Sequence, residues 1–217
     1  MPSTASSTPP VVFIQYLTAM AVLDGIRTYD PHYRAYANLP IKLKWPNDIY
    51  AEDPVQPARR AGERKRFTKI GGILVNSSYA GKEFLLVVGV GLNTTNAAPT
   101  TSLTALLPPG VPPFTPEKLL ARILTAFESL YRRFLAAGEF TDGMETSYRR
   151  DWLHEGQLVT LESEGGTRGR IVGLEREFGQ LIVEQVGWGD IGTGRRLVVS
   201  GDGNGFDFLK GLIRRKG

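Results

Sequence analysis

Two strand-like segments studded with polar groups constrain this chain more than anything else in it. Lys42–Leu43–Lys44–Trp45–Pro46–Asn47–Asp48–Ile49–Tyr50 is one. After a charged interruption, Lys69–Ile70–Gly71–Gly72–Ile73–Leu74–Val75–Asn76 is the other. Lysines, an asparagine and an aspartate therefore sit among apolar residues of strand character. A buried charge needs a partner, because desolvation of an unpaired one is costly. Two arrangements satisfy that demand. The charged groups pair with one another at a surface edge, or they face a ligand that supplies what they lack. A lysine entering an apolar Gly-Gly strand has little structural use, which favours the second.

The rest of the chain reads as follows. Residues 1–10 are Ser/Thr/Pro-rich and predict a disordered tail. From Val11 to Thr28, apolar residues spaced by three and four predict a buried helix, stopped by Asp30–Pro31. Ile41–Lys44 alternates as a strand and Pro46–Asn47–Asp48 interrupts it with turn chemistry. Residues 51–68 lack periodicity and predict a surface insertion. Lys69–Ser78 is a second strand, in which Gly71–Gly72 marks a bulge or a close approach by a ligand or another backbone. Phe84–Val90 is continuously apolar, which predicts a strand covered on both faces. It runs into Gly91–Leu92–Asn93–Thr94–Thr95–Asn96, a polar rim rather than a dinucleotide fingerprint.

Thr115–Pro116–Glu117 starts a helix with a capping threonine, proline at the first position and an acid in the first turn. Leu119, Ile123, Phe127, Leu130 and Phe134 form its expected core stripe, and a further helix spans Phe140 to Arg150. After Trp152, four short strands joined by Gly-rich turns predict a small β-barrel or sandwich. A glycine-rich loop, 200–207, and a short helix or strand, 208–214, close the chain. The expected division is a tail over 1–10, a larger domain over 11–150 with its insertion at 51–68, and a small β-domain over 151–217.

Composition matters mainly for what it excludes. The chain has no cysteine, so disulfides, thiolate catalysis and zinc–thiolate sites are ruled out. His32 and His154 are its two histidines and both read as surface residues rather than metal ligands. A net charge of +4 reflects clusters at residues 59–66 and 214–216. Neither cluster carries the aromatic interleaving of a nucleic-acid module. Val11–Leu23 is too short to span a membrane and has the wrong flanks for a signal peptide, so no membrane partner and a cytoplasmic location are expected.

Lys44–Trp45–Pro46–Asn47–Asp48–Ile49–Tyr50, Lys69 to Asn76 and Gly89–Val90–Gly91–Leu92–Asn93–Thr94–Thr95–Asn96, in that order, resemble the catalytic domain of the biotin protein ligases (holocarboxylase synthetases), closest to the eukaryotic branch. The β-region after Trp152 resembles that family's C-terminal SH3-like domain. The resemblance implies an α+β fold. A mixed, mainly antiparallel sheet of the class II aminoacyl-tRNA synthetase and biotin synthetase type, here partial, carries helices and precedes a small SH3-like barrel. It also implies a two-step reaction. The biotin carboxylate attacks the α-phosphate of ATP, with Mg²⁺, to give biotinyl-5′-AMP and pyrophosphate. A lysine of a biotin carboxyl-carrier domain of a biotin-dependent carboxylase then takes the biotin.

By the same resemblance, Lys69 lies beside the biotin carboxylate and the phosphate, where a compact cation suits a developing negative oxygen. Gly71 and Gly72 let backbone lie close to the ligand. Lys44 holds either Asp48 or a phosphate. Asp48 either positions the target lysine or helps to place Mg²⁺. Asn47 holds a turn or bonds the ligand. Gly91, Asn93 and Asn96 match positions near the nucleotide, while Trp45 and Pro46 read as packing at the strand end.

The family's arginine-glycine loop, which orders over the adenylate upstream of the first helix, has no counterpart ahead of Val11. The resemblance therefore covers the second half of the catalytic domain and the C-terminal domain. Two expectations follow. The isolated chain binds biotin poorly and has little ligase activity, since an adenylate site lacking walls admits water. An open sheet edge invites association with a partner, the non-catalytic alternative.

Overall fold

The computed structural model describes residues 10–52, 67–81, 83–96, 101–202 and 204–215. The expected tail over 1–9, and residues 53–66 of the expected insertion, lie outside the described residues. The chain divides into two compact units, Ile14–Ala136 and the described residues of 1–13 and 137–217. The division falls ahead of the helix at 142–149 rather than at Trp152.

In the first unit, helix α1 (Phe13–Arg27) is buried on nearly every side, as its unbroken apolar sequence demands. Gly25 is the close-contact point. A Cβ there would stand 2.7–2.9 Å from the backbone and side chain of Ile123 on α3 (Pro116–Ala137), so the two helices meet without a side chain between them. A one-turn helix, α2 (Arg34–Ala37), follows. Tyr29, Tyr36 and Phe114 then pack ring against ring, with centroids 4.7–5.0 Å apart. The Tyr36 hydroxyl donates to the Pro112 carbonyl at 2.6 Å, and the Thr115 amide donates to the Tyr29 hydroxyl at 2.9 Å. These bonds seat the start of α3.

The sheet of this unit is antiparallel, in the order β1 (Ile41–Lys44), β2 (Asp48–Glu52), β3 (Phe67–Ala80), β4 (Glu83–Leu92). Ala51, Glu52, Phe67 and Thr68, expected in the surface insertion, are paired strand residues: Ala51 faces Thr68 and Glu52 faces Phe67. The reason is local. Backbone pairing between β2 and β3 does not depend on the polarity of the side chains.

The apolar run of β4 overturns an expectation. It is an edge strand, and its residues are exposed on both faces, Leu85 to 64% and Val87 to 59%. Continuous apolarity marks a surface that needs cover, and within this unit nothing among the described residues covers it. Val88, Val90 and Leu92 of β4 and Leu120, Ile123 and Leu124 of α3 instead line an open groove of about 460 Å³. Of the stripe expected on α3, Leu119, Leu130 and Phe134 are buried, while Ile123 and Phe127 are half-exposed in that groove.

The second unit holds α4 (Asp142–Arg149), capped by Thr141, whose hydroxyl accepts from the Met144 amide. It has a six-stranded sheet in the order β8 (Gly192–Val199), β7 (Leu181–Val186), β6 (Thr167–Leu174), β5 (Leu158–Leu161), β10 (Leu212–Arg215), β9 (Asn204–Asp207). All neighbours are antiparallel except β5 and β10. The glycine-rich 200–207 region thus contributes a strand, and the last strand begins at Leu212 rather than Phe208. Glu145 on α4 accepts from the Leu174 amide and pairs with Arg149. A second pairing of Arg149, with Glu155, raises its pKa. His154 corrects the surface reading: it is fully buried, stacked on Trp152 with centroids 4.5 Å apart and edge-on to Phe206. Imidazole packs here as a flat aromatic, face to face with one larger ring and edge to another.

Candidate functional site

The Trp45–Pro46–Asn47 turn joins β1 to β2 and brings Lys44 opposite Asp48 in the ladder. The Trp45–Pro46 bond is cis. The turn is held from three directions. Trp45 Nε1–H donates to the buried Tyr16 hydroxyl at 2.9 Å, and Gln15 Nε2 donates to the Pro46 carbonyl at 3.2 Å. Asn47 clasps β3 twice: its side-chain amide donates to the Ile73 carbonyl and its own carbonyl accepts from the Ile73 amide, both at 2.9 Å. Between the two roles left open for Asn47, the turn role is visible. The holds from Gln15 and Tyr16 could not be foreseen, because a polar group at one helix position does not reveal which turn 30 residues away it faces.

A β-bulge sets the third member of the cluster. Ile49 pairs with Gly71 and Tyr50 with Lys69, so Ile70 is the extra residue. The bulge is therefore one residue before the glycine pair. It breaks the alternation of β3, so that Ile70 and Ile73, three apart, are both buried. By the same shift Lys69 and Gly72 share the opposite face. A Cβ on Gly72 would stand 3.6 Å from both Lys69 Nζ and Asp48 Oδ1.

Asp48 is the hub. Its Oδ1 lies 2.5 Å from Lys69 Nζ and its Oδ2 lies 3.2 Å from Lys44 Nζ. Asp48 and Lys44 are each 16% exposed, while Lys69 is 53% exposed. The charged residues thus pair with one another, the first of the two arrangements considered above. They also leave one ammonium open to solvent, as the second requires. Chemically this is a cation fixed by a carboxylate over a glycine surface, able to meet an anion without a side chain between.

The two glycines divide the work. A Cβ on Gly71 would stand 2.6 Å from the Gly91 carbonyl, so Gly71 serves the β3–β4 approach; Gly72 underlies the charged cluster. Gly91 pairs with Gly72 across that ladder. The Asn93 amide donates to the Ile70 carbonyl at 2.7 Å, and the Asn93 carbonyl accepts from the Leu103 amide. Asn93 is half-buried at the end of β4 and Asn96 is exposed beyond it.

Asp48 does not fit a magnesium ligand in this arrangement, since each of its oxygens already faces an ammonium. No group of three or more His, Asp or Glu among the described residues is placed to hold a metal ion. No described helix is long and apolar enough to cross a membrane.

The sequence profile of the Biotin/lipoate A/B protein ligase family matches residues 2–93. A biotin–protein ligase of Schizosaccharomyces pombe is 36% identical over 97% of this chain and 33% of its own length. That of Homo sapiens is 34% identical over 95% of this chain and 26% of its own. Biotin–protein ligase 2 of Arabidopsis thaliana is 33% identical, covering 95% and 58%. The chain thus spans about a third of the first of these relatives and about a quarter of the second. Among solved structures, a biotin protein ligase from Aquifex aeolicus superposes with a TM-score of 0.59 at 18% identity, covering 95% of this chain and 76% of that one. Its complex with biotin and ATP gives 0.56, covering 95% and 73%. These likenesses show the fold, an α+β arrangement of mainly antiparallel sheet and helices followed by a small β-domain.

Proposed function

We propose that the chain belongs to the biotin protein ligase family and that Ile14–Ala136 supplies the lysine–aspartate face of a biotinyl-adenylate site. The overall reaction is ATP-dependent formation of biotinyl-5′-AMP and transfer of biotin to a lysine of a carboxylase carrier domain in the cytoplasm. The observation that carries this reading is the open Lys69 ammonium, braced by Asp48 above Gly72. In the first step two anions must meet, and Lys69 would neutralise the biotin carboxylate and α-phosphate as charge moves onto the pyrophosphate oxygens. Lys44 keeps Asp48 oriented. Gly72 and Gly91 keep side chains away from the ligand, and Asn47, Asn93 and Asn96 offer amides at its rim. Mg²⁺ would arrive on the ATP phosphates rather than on Asp48. In the second step the acceptor amine attacks the mixed anhydride and AMP leaves.

Pyrophosphate release and biotin transfer to a purified carrier domain test the reading. The chain by itself is expected to turn over poorly, and a segment supplying the remainder of the family's catalytic domain is expected to restore activity when added in trans. Lys69→Ala should then abolish adenylate formation. Unchanged adenylate formation by that variant would sink the assignment.

One observation favours a second reading, a non-catalytic half-domain that binds another polypeptide. The β4 edge and its groove against α3 form an uncovered apolar surface within the first unit. Binding of the trans segment without any biotinylation would favour this alternative.

A further inference from the structure

The second unit carries none of the site residues above, yet it displays the most exposed large apolar side chain among the described residues. Trp188 is 98% exposed, and Ile191 beside it is 71% exposed. Both sit at the tip of the β7–β8 hairpin. An indole left wholly in water has no folding role, so its position is informative only if the loop is held. It is held. The Gly187 amide donates to the Ile191 carbonyl at 2.8 Å, and the Asp190 amide donates to the Gly187 carbonyl at 3.1 Å. Asp190 occupies the left-handed region at φ +59°, unusual for a residue with a side chain. Arg168 from β6 pairs with its carboxylate at 3.0 Å, and Arg170 reaches its carbonyl.

The surroundings are basic. Glu184 on β7 stands in register between Arg170 on β6 and Arg196 on β8, one carboxylate for two guanidinium groups. Arg195 adds a further exposed cation on β8, which is an edge strand of the sheet. A solvent-facing tryptophan on a hydrogen-bonded turn, with Arg168 and Arg170 both bonded to Asp190 two residues on, has the make-up of an interface anchor, where Trp and Arg dominate binding energy. It suits a protein surface with an apolar recess rimmed by carboxylates.

The geometry points to the Trp188 hairpin tip as a docking element for the acceptor carrier domain, engaging an acidic face of that domain. This rests on the functional reading above, in which a carrier domain is the one macromolecule the reaction requires the chain to meet.

Binding of the full chain to a purified apo carrier domain, measured by calorimetry at low and high salt, tests it. Trp188→Ala and the double change Arg195→Gln/Arg196→Gln should each weaken binding at least tenfold. Neither should lower the melting temperature, since all three side chains are exposed. The double variant should also lose most of the salt dependence. Phe178→Ala, an exposed aromatic on a different turn, should bind as the unaltered chain does. Undiminished binding by Trp188→Ala overturns the docking role. So does the absence of any carrier binding by the unaltered chain, or equal competition by a single-stranded oligonucleotide. Adenylate formation, which needs no carrier, judges the functional reading separately. Lys69→Ala should lose adenylate formation yet keep carrier binding.

Discussion

Lys69 Nζ lies 2.5 Å from Oδ1 of Asp48, and the other oxygen of that carboxylate faces Lys44 at 3.2 Å. One anion therefore serves two cations of different exposure. The half-hidden Lys44 contributes to holding the hairpin together, and the open Lys69 is the cation that an incoming anion can reach. A ligand anion that approaches Lys69 does not leave Asp48 uncompensated, because Lys44 remains.

Stability should separate the three residues in a fixed order. Asp48→Asn leaves two ammonium groups facing a neutral amide, one of them largely buried, and should cost about 1–3 kcal/mol. Lys44→Ala should cost less. Lys69→Ala removes the exposed partner of a surface pair and should cost about 0–1 kcal/mol. Urea denaturation monitored by circular dichroism gives the three values. A Lys69→Ala cost exceeding that of Asp48→Asn would contradict the assignment of Asp48 as the hub.

The adjacent glycines should respond oppositely to the same substitution. In Gly71→Ala the new methyl meets the Gly91 carbonyl at 2.6 Å, and a backbone atom cannot move without disturbing the β3–β4 ladder. The expected cost is about 2–3 kcal/mol, typical of overpacking. In Gly72→Ala the nearest atoms are at 3.6 Å, an ordinary contact, so stability should change by less than about 0.5 kcal/mol. Ligand binding should suffer instead, because the methyl stands beside Lys69 and Asp48. Thermal melts paired with isothermal titration of ATP and biotin separate the two effects.

The Trp45–Tyr16 bond should be worth more than an exposed one. Trp45→Phe keeps an aromatic side chain but removes the pyrrole half of the buried indole together with the N–H that donates to the buried Tyr16 hydroxyl. A loss of about 2–4 kcal/mol is expected, the hydrogen bond accounting for about 1–2 kcal/mol of it. Tyr16→Phe, which keeps its whole ring, should cost about 1–2 kcal/mol, and the double variant should lose less than the sum of the two. A fully additive double variant would show that the two groups do not depend on each other.

Alkaline pH should expose the role of Tyr36. Burial, reinforced by Tyr29, Asp30 and Tyr33, raises its pKa above the ordinary tyrosine value. The folded state thus holds the proton more tightly than the unfolded chain does. That contribution is complete below about pH 10, the unperturbed tyrosine value, and is lost as pH rises through the raised folded value. The phenolate also cannot donate to the Pro112 carbonyl. Denaturation midpoints between pH 8 and 11 should fall more steeply for the unaltered chain than for Tyr36→Phe.

At acid pH the pair of Asp30 with Lys118 should give the opposite sign. The hydrogen bond from Lys118, aided by the His32 amide, lowers the Asp30 pKa. Its contribution is present above the ordinary aspartate value of about 4 and fades as pH falls through the lowered one. Lys118→Ala should flatten the acid limb of a stability profile. Because the pair is exposed, raising the salt concentration should have a similar effect.

By itself the sequence determined the elements and the chemistry. The spacing of apolar residues placed α1 and α3. The proline and the Asn-Asp pair placed the β1–β2 turn. The Lys44–Asp48 and Lys69–Asn76 motifs named the charged residues that the structure brings together. These are local properties, legible because side-chain type and backbone preference act over a few residues. Tertiary structure decided the rest. The bulge at Ile70 turned Lys69 over Gly72 instead of Gly71, and one residue of register cannot be read from composition. The apolar run of β4 read as a covered strand and proved to be an open edge, because apolarity records the need for cover and not its presence. His154 read as a surface residue and is buried, because burial depends on which distant residues arrive: Phe206, far along the chain, closes on a ring already stacked against neighbouring Trp152.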